Sequence, residues 1–139
     1  MASTSDNVAK LKAAYGEWHK SKGGNVKAWL DLMVDDVKCF SLAGGGPGAE
    51  FTARIHSKKD FERYFRGLLD DWEMIHYTTE RFVAEGDNVA VRGSTGWRNR
   101  KTGKKVETPK ADFWTFRKGK VVEFHEYYDT AALFAAATP

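Results

Sequence analysis

The chain has 139 residues, enough for one domain, taken as 1–139, around a single hydrophobic core. Apolar residues make up 42% and aromatic residues 14%, so that core can be filled well, and a formal net charge of +3 permits acidic partners without demanding them. One cysteine, Cys39, excludes an internal disulfide and suits a reducing compartment, and no stretch approaches the ~20 apolar residues of a membrane span.

Met1 to Lys10 is polar and lacks an apolar signal core, so cytoplasmic residence is the expectation. Ser5 or Asp6 can cap a first helix in which Val8, Leu11, Tyr15 and Trp18 recur at helical spacing. Ser21-Lys22-Gly23-Gly24 ends it, and Asn25 caps a second helix that buries Val26, Trp29, Leu30 and Met33. Asp35-Asp36 turns the chain into a short strand, Val37 to Leu42. The run Gly44-Gly45-Gly46-Pro47-Gly48 suits neither helix nor central strand, and without a Lys-Ser/Thr ending it is no phosphate loop. It reads as a mobile flap over a pocket mouth.

A brief edge strand with Phe51, Ala53 and Ile55 alternating leads to Ser57-Lys58-Lys59-Asp60, a capping box with Asp in place of Glu. The helix behind it is the clearest in the chain: Phe61, Tyr64, Phe65, Leu68, Leu69 and Trp72 form one stripe. Strands from Ile75 to Ala84 and Val89 to Trp97 join at Glu85-Gly86-Asp87-Asn88. The basic cluster Arg98, Arg100, Lys101, Lys104 and Lys105 reads as a solvated hairpin tip rather than a nucleic-acid surface.

The last hairpin has arms Lys110–Phe116 and Val121–Tyr128, joined by a three-residue loop with a bulge at Gly119. Side chains alternate faces along a strand. Parity therefore puts Lys110, Asp112, Trp114 and Phe116 on one face with Val122, Phe124, Glu126 and Tyr128. The other face carries Ala111, Phe113, Thr115, Val121, His125 and Tyr127. Ala131 to Ala137 can add a helical turn. The element order is α-α-β-β-α-β-β-β-β, an α+β fold: a strongly curved antiparallel β-sheet wrapped around N-terminal helices to form a conical cavity. Gly93 and Gly96 sit where such curvature needs them.

Two carboxylates on an apolar face have no place in an ordinary core. Asp112 and Glu126 cannot both ionise cheaply there, so one should hold a proton near neutral pH, and the pair reads as an acid and a base for proton transfer on a small ligand. The alternative is a structural pair neutralised by Lys110 or Arg92. Tyr15 is a possible hydrogen-bond donor into the cavity, or simply core. Trp18, Phe65, Trp72, Trp114, Phe116, Phe124 and Tyr128 are the candidate apolar wall, and a small apolar molecule is the implied ligand. No histidine has a metal-ligand partner at useful spacing, Ser41 and Cys39 lack a nucleophile's partners, and no cofactor is called for. The Phe113 face, left uncovered by helices, predicts a homodimer, sheet against sheet.

Trp29-Leu30-Asp31-Leu32-Met33-Val34-Asp35-Asp36-Val37, together with Phe116 through Asp129, resembles the SnoaL-like group of the nuclear-transport-factor-2-like superfamily. That superfamily includes ketosteroid isomerase and limonene epoxide hydrolase. The resemblance spans nearly the whole chain, specifies the fold, and leaves function open among isomerases, hydrolases, cyclases and plain binding proteins. It implies that Tyr15 stands where ketosteroid isomerase has its helix tyrosine and Asp112 where it has its oxyanion-hole aspartate. Ser41 falls at the position of the isomerase base and cannot abstract a carbon-bound proton. Glu126 matches one catalytic aspartate of limonene epoxide hydrolase, whose partner residues fall near Gly93 and Thr95. The chain therefore looks like neither enzyme. Two readings stand: an enzyme for isomerisation, cyclisation or dehydration, or a non-catalytic binding or dimerisation domain.

Overall fold

The Ser3 hydroxyl accepts the Asp6 N–H at 3.1 Å and the Asp6 carboxylate accepts the Ser3 N–H at 3.2 Å. This reciprocal box starts helix α1 (Thr4–Lys20), and Ser3 caps it rather than Ser5 or Asp6 because Asp6 then sits where it can close the box. The computed structural model describes residues 3–139; Met1 and Ala2, part of the polar N-terminal stretch, lie outside the described residues. Leu11, Ala14, Tyr15 and Trp18 form the buried stripe of α1.

Helix α2 (Lys27–Leu30) is a single turn, its start fixed by the Asn25 side-chain oxygen, which accepts the Ala28 N–H. Met33, expected on its buried face, instead opens strand β1 (Met33–Ser41), which takes in Asp35 and Asp36. The Val121 N–H donates to the Leu32 carbonyl at 2.7 Å, so pairing with a distant segment captures the chain before a longer helix can form. The expected edge strand at Phe51 is a 3₁₀ turn, Glu50–Thr52, and only Ile55 bridges to Cys39. Thr52 explains this: its hydroxyl donates to the Ala49 carbonyl and accepts the Gly45 N–H, folding the segment back on the glycine run. Ser57 caps helix α3 (Lys58–Asp71), accepting the Asp60 N–H, while the Asp60 carboxylate takes the His56 N–H instead of closing a box.

Trp72, placed by periodicity on α3, is the first residue of strand β2 (Trp72–Glu85). Strands β3 (Asn88–Asn99), β4 (Lys105–Arg117) and β5 (Lys120–Tyr128) follow, and helix α4 (Thr130–Ala137) closes the chain. The curved, open sheet has the order β1-β5-β4-β3-β2. Strands β2 to β5 are an antiparallel meander, but β1 runs parallel to β5, so the sheet is mixed rather than purely antiparallel. A hairpin forces antiparallel pairing; β1 and β5 are separated in the chain by α3 and strands β2 to β4, which leaves them free to run parallel. The curvature needs Gly93, where a Cβ would stand 2.0 Å from the Thr78 carbonyl oxygen.

The β4–β5 turn is shorter than expected. Lys118 (φ 51°) and Gly119 (φ 77°) make a two-residue connection between paired Arg117 and Lys120. The bulge lies at Val122 instead, between the pairs Thr115/Glu123 and Phe116/Val121. It reverses the facing of the strand end, so Val121 rather than Val122 is fully buried. Beyond the bulge Asp112 pairs with Glu126 and Trp114 with Phe124. No helix among the described residues is long and apolar enough to cross a membrane.

Candidate functional site

Asp112 and Glu126 are cross-strand partners on β4 and β5, each almost wholly buried. Lys110, two residues before Asp112 and therefore on the same face, lies between them. Its Nζ donates to Asp112 Oδ1 at 2.5 Å and to Glu126 Oε1 at 3.0 Å. Arg92, the other counterion considered, lies instead on the exposed side beside Glu80. The second oxygen of each carboxylate is also engaged. Asp112 Oδ2 accepts the hydroxyls of Tyr15 at 2.5 Å and Tyr77 at 2.8 Å. Glu126 Oε2 accepts those of Ser41 and Tyr64, both at 2.7 Å. The Trp114 indole donates to the Tyr15 hydroxyl at 2.8 Å, and Ser41 and Tyr128 share a hydrogen bond at 2.6 Å. The result is a satisfied buried network with one formal positive and two formal negative charges.

Its electrostatics follow from burial and neighbours. Burial alone would push the Lys110 ammonium down, but Asp112 and then Glu126 outweigh it and hold the group above its ordinary value. Burial, then Asp112, pushes the Tyr15 and Tyr77 hydroxyls well up, and burial, then Glu126, does the same to Tyr64. Lys110 Nζ also lies 5.2 Å from the Tyr77 ring centroid and 5.5 Å from that of Phe124. With two of its protons on carboxylates, it has one left for a ligand atom.

These groups stand in the wall of a cavity of about 90 Å³. Trp18, Phe65, Trp72, Trp114, Phe124 and Tyr128 line it with Tyr15, whereas Phe116 does not. Phe116 keeps the inward facing of Trp114 and is buried against Val121, one step beyond Trp114, the last β4 residue to line the cavity. Four further contributors were not read as site residues from the sequence: Lys110, weighed only as a counterion, and the donors Tyr64, Tyr77 and Ser41. Parity could have found Lys110, and Tyr64 lies on the apolar stripe of α3. Tyr77 was hidden by a bulge between Met74 and His76, which breaks the alternation along β2.

The glycine run, expected as a flap over the mouth, contributes no residue to the cavity lining. It is a series of ordered turns covered by α4: a Cβ on Gly46 would meet the Phe134 ring at 2.6 Å, and the Trp72 indole donates to the Gly48 carbonyl at 2.7 Å. No cluster of three metal-ligating side chains occurs among the described residues.

A curved, open mixed sheet folded over helices is the nuclear-transport-factor-2-like class of fold. The chain belongs within it to the SnoaL-like domain family, which matches residues 13–124. No match to a curated protein was found. Among solved structures, an NTF2-like protein of Burkholderia thailandensis is similar over 100% of both chains, at 23% identity and a TM-score of 0.81. A protein of ketosteroid isomerase-like fold from Catenulispora acidiphila, in complex with trimethylamine, is similar over 94% of this chain and 97% of its own, at 17% identity and a TM-score of 0.74. TerC, co-crystallised with polyporic acid, is similar over 94% and 97%, at 19% identity and a TM-score of 0.79. At these identities the likeness carries the fold alone.

Proposed function

We propose that the chain is a cofactor-independent enzyme performing acid–base chemistry, an isomerisation, cyclisation or dehydration, on a small hydrophobic molecule. One observation carries this reading: Asp112, Lys110 and Glu126 form a hydrogen-bonded row in the wall of an apolar cavity. A ligand carbonyl would take the third Lys110 proton. Glu126 would then remove a proton from the adjacent carbon, and the C–H electron pair would become an enolate whose oxygen Lys110 stabilises. Returning the proton at another carbon completes an isomerisation. Tyr15 and Tyr77 hold Asp112 so that it keeps Lys110 in place. The structures crystallised with trimethylamine and polyporic acid support a small-ligand role for this fold. The cavity is smaller than the ~150 Å³ engineered cavity that admits benzene, so a ligand of few atoms suits it.

The test is deuterium incorporation into butanone in D₂O, followed by proton NMR. Wild type should accelerate loss of the α-proton signals, and Glu126→Gln should lower that rate by about 100-fold, a usual contribution of a positioned base. Equal rates for wild type and variant would remove the acid–base reading. They would favour the second one, a non-catalytic small-ligand-binding or dimerisation domain. That reading has its own support, since all four carboxylate oxygens already accept hydrogen bonds without a ligand.

We also propose a homodimer through the outer sheet face. Phe113 is 48% exposed and Phe40 44%, and both ring centroids lie within 6 Å of that of Tyr127. Such a patch is what a two-fold, self-complementary interface covers. In sedimentation at micromolar concentration, wild type should run as a dimer and Phe113→Lys as a monomer with its cavity intact. A monomeric wild type sinks the proposal. The single cysteine supports a cytoplasmic setting for this assembly.

A further inference from the structure

Glu126 has a link to the surface that Asp112 lacks. The parallel pairing of β1 with β5 sets Ser41 opposite Glu126. Tyr128 lies two residues beyond Glu126 on β5, so its side chain leaves the sheet on the same face. Three oxygens are thereby gathered in series: Glu126 Oε2 is 2.7 Å from Ser41 Oγ, which is 2.6 Å from the Tyr128 hydroxyl.

The proton positions follow. Ser41 donates its single proton to Glu126, so the bond between Ser41 and Tyr128 is donated by Tyr128. Burial, then the Glu126 charge, holds the Tyr128 hydroxyl above its ordinary value, so it keeps that proton. The Tyr128 oxygen in turn accepts the Ala43 N–H at 3.3 Å. Leu42 and Gly44, on either side of Ala43, are exposed, and Tyr128 is half-buried where Ser41 and Glu126 are buried. The series runs from the buried carboxylate to the surface turn that follows β1.

The other hydroxyls of the network are dead ends. Tyr64 and Tyr77 are buried, and each hydroxyl bonds to its carboxylate alone among the described residues. Beyond the Tyr15 hydroxyl stands the Trp114 indole, which donates and cannot accept a proton. Lys110 touches both carboxylates, but it is held above its ordinary value and keeps its protons.

We propose that Ser41 and Tyr128 are a proton relay between Glu126 and solvent, which rests on the reading of Glu126 as the base. After Glu126 has taken a proton from the ligand carbon, the two hydroxyls turn about their C–O bonds. Glu126 then gives its O–H proton to Ser41, Ser41 gives its own to Tyr128, and Tyr128 gives its own to water. One proton leaves, each hydroxyl still holds one, and Glu126 is a carboxylate again. Reversed, the same shifts bring a solvent proton to the ligand. Ser41 and Tyr128 are positioning residues, acting through Glu126.

The experiment uses pent-4-en-2-one in D₂O, whose isomerisation to pent-3-en-2-one moves a proton from the α to the γ carbon. The origin of the γ hydrogen, read by NMR, does not depend on how fast or how stable a variant is. Wild type should place solvent deuterium there. Ser41→Ala and Tyr128→Phe should place the substrate's own α hydrogen there, because the proton on Glu126 has no way out. Tyr64→Phe takes one hydrogen bond from the same Glu126 oxygen and should leave the label as in wild type, whatever it does to the rate. Substrate hydrogen in the wild-type product, or solvent deuterium undiminished in both relay variants, would overturn the relay. A wild type that does not isomerise the ketone removes the acid–base reading instead, and the relay is then judged without a ligand. Exchange of the Ser41 hydroxyl proton with water, followed by saturation-transfer NMR, should be about 100-fold slower in Tyr128→Phe, a usual contribution of a positioned proton carrier. Equal exchange in the two proteins overturns it.

Discussion

Replacing Lys110 by methionine should lower the stability of the chain by about 3–5 kcal/mol, read as a fall in the urea midpoint at neutral pH with an unchanged slope. Lys110 is the ammonium bridging Asp112 and Glu126, at 2.5 and 3.0 Å. Methionine fills similar space but leaves two buried carboxylates facing each other with no cation between them. Removing one partner of a buried ion pair costs far more than the pair itself contributes. In a domain whose whole stability is about 5–15 kcal/mol, that loss is a large share. Adding Asp112→Asn to Lys110→Met should recover part of it, because one of the two stranded charges is gone. A loss below about 1 kcal/mol, the size of a surface pair, would show that the ammonium does not compensate these groups.

The second large effect is alkaline. Lys110, Tyr15, Tyr64 and Tyr77 all have folded-state values raised above the ordinary ones. Below the ordinary tyrosine and lysine values of ~10 and ~10.4, both folded and unfolded chains hold these protons, and the stability they contribute is fully present. As pH rises past that point the unfolded chain releases protons that the folded chain keeps, so unfolding becomes easier. Each group can contribute a slope of up to about 1.4 kcal/mol per pH unit, and four titrate in the same sense. Unfolding midpoints measured between pH ~9 and ~11 should therefore fall more steeply than a single proton allows. Tyr77→Phe should make the fall shallower by about one proton. A flat profile across that range would contradict the buried network.

Much of this arrangement was legible in the residue order, and the limits have physical causes. The stripe of α3 fixed a helix because Phe61, Tyr64 and Phe65 repeat at its period, yet the same stripe drew Trp72 into the helix. Trp72 belongs to β2, where its indole reaches Gly48, a partner that no local pattern reveals. Parity brought Asp112 and Glu126 together because it needs only the alternation of two strands. It failed further along β5, where a single bulged residue exchanged Val122 for Val121, and parity could not show that the cavity ends at Trp114, one step short of Phe116. The parallel pairing of β1 with β5 was not anticipated, since it joins segments that no hairpin connects. Tyr15 meets Asp112 across 97 positions, Tyr64 meets Glu126 across 62 and Tyr77 meets Asp112 across 35. Contacts at that separation are made by the folded sheet and leave no periodic trace in the chain.

The aromatic wall has an optical consequence. The chain has five tryptophans, and all of them, Trp18, Trp29, Trp72, Trp97 and Trp114, line the one cavity. Trp29 and Trp114 are stacked with ring centroids 5.0 Å apart and planes within 4° of parallel, and Trp18 lies edge-on to Trp29 at 6.3 Å. The indole of Trp114 is tied through Tyr15 to Asp112, so that one chromophore belongs to the hydrogen-bonded unit of the charged row. No tryptophan stands elsewhere to contribute a silent background. The indole emission and near-ultraviolet dichroism of this protein are therefore signals from its interior, and a ligand entering it would be recorded without any label.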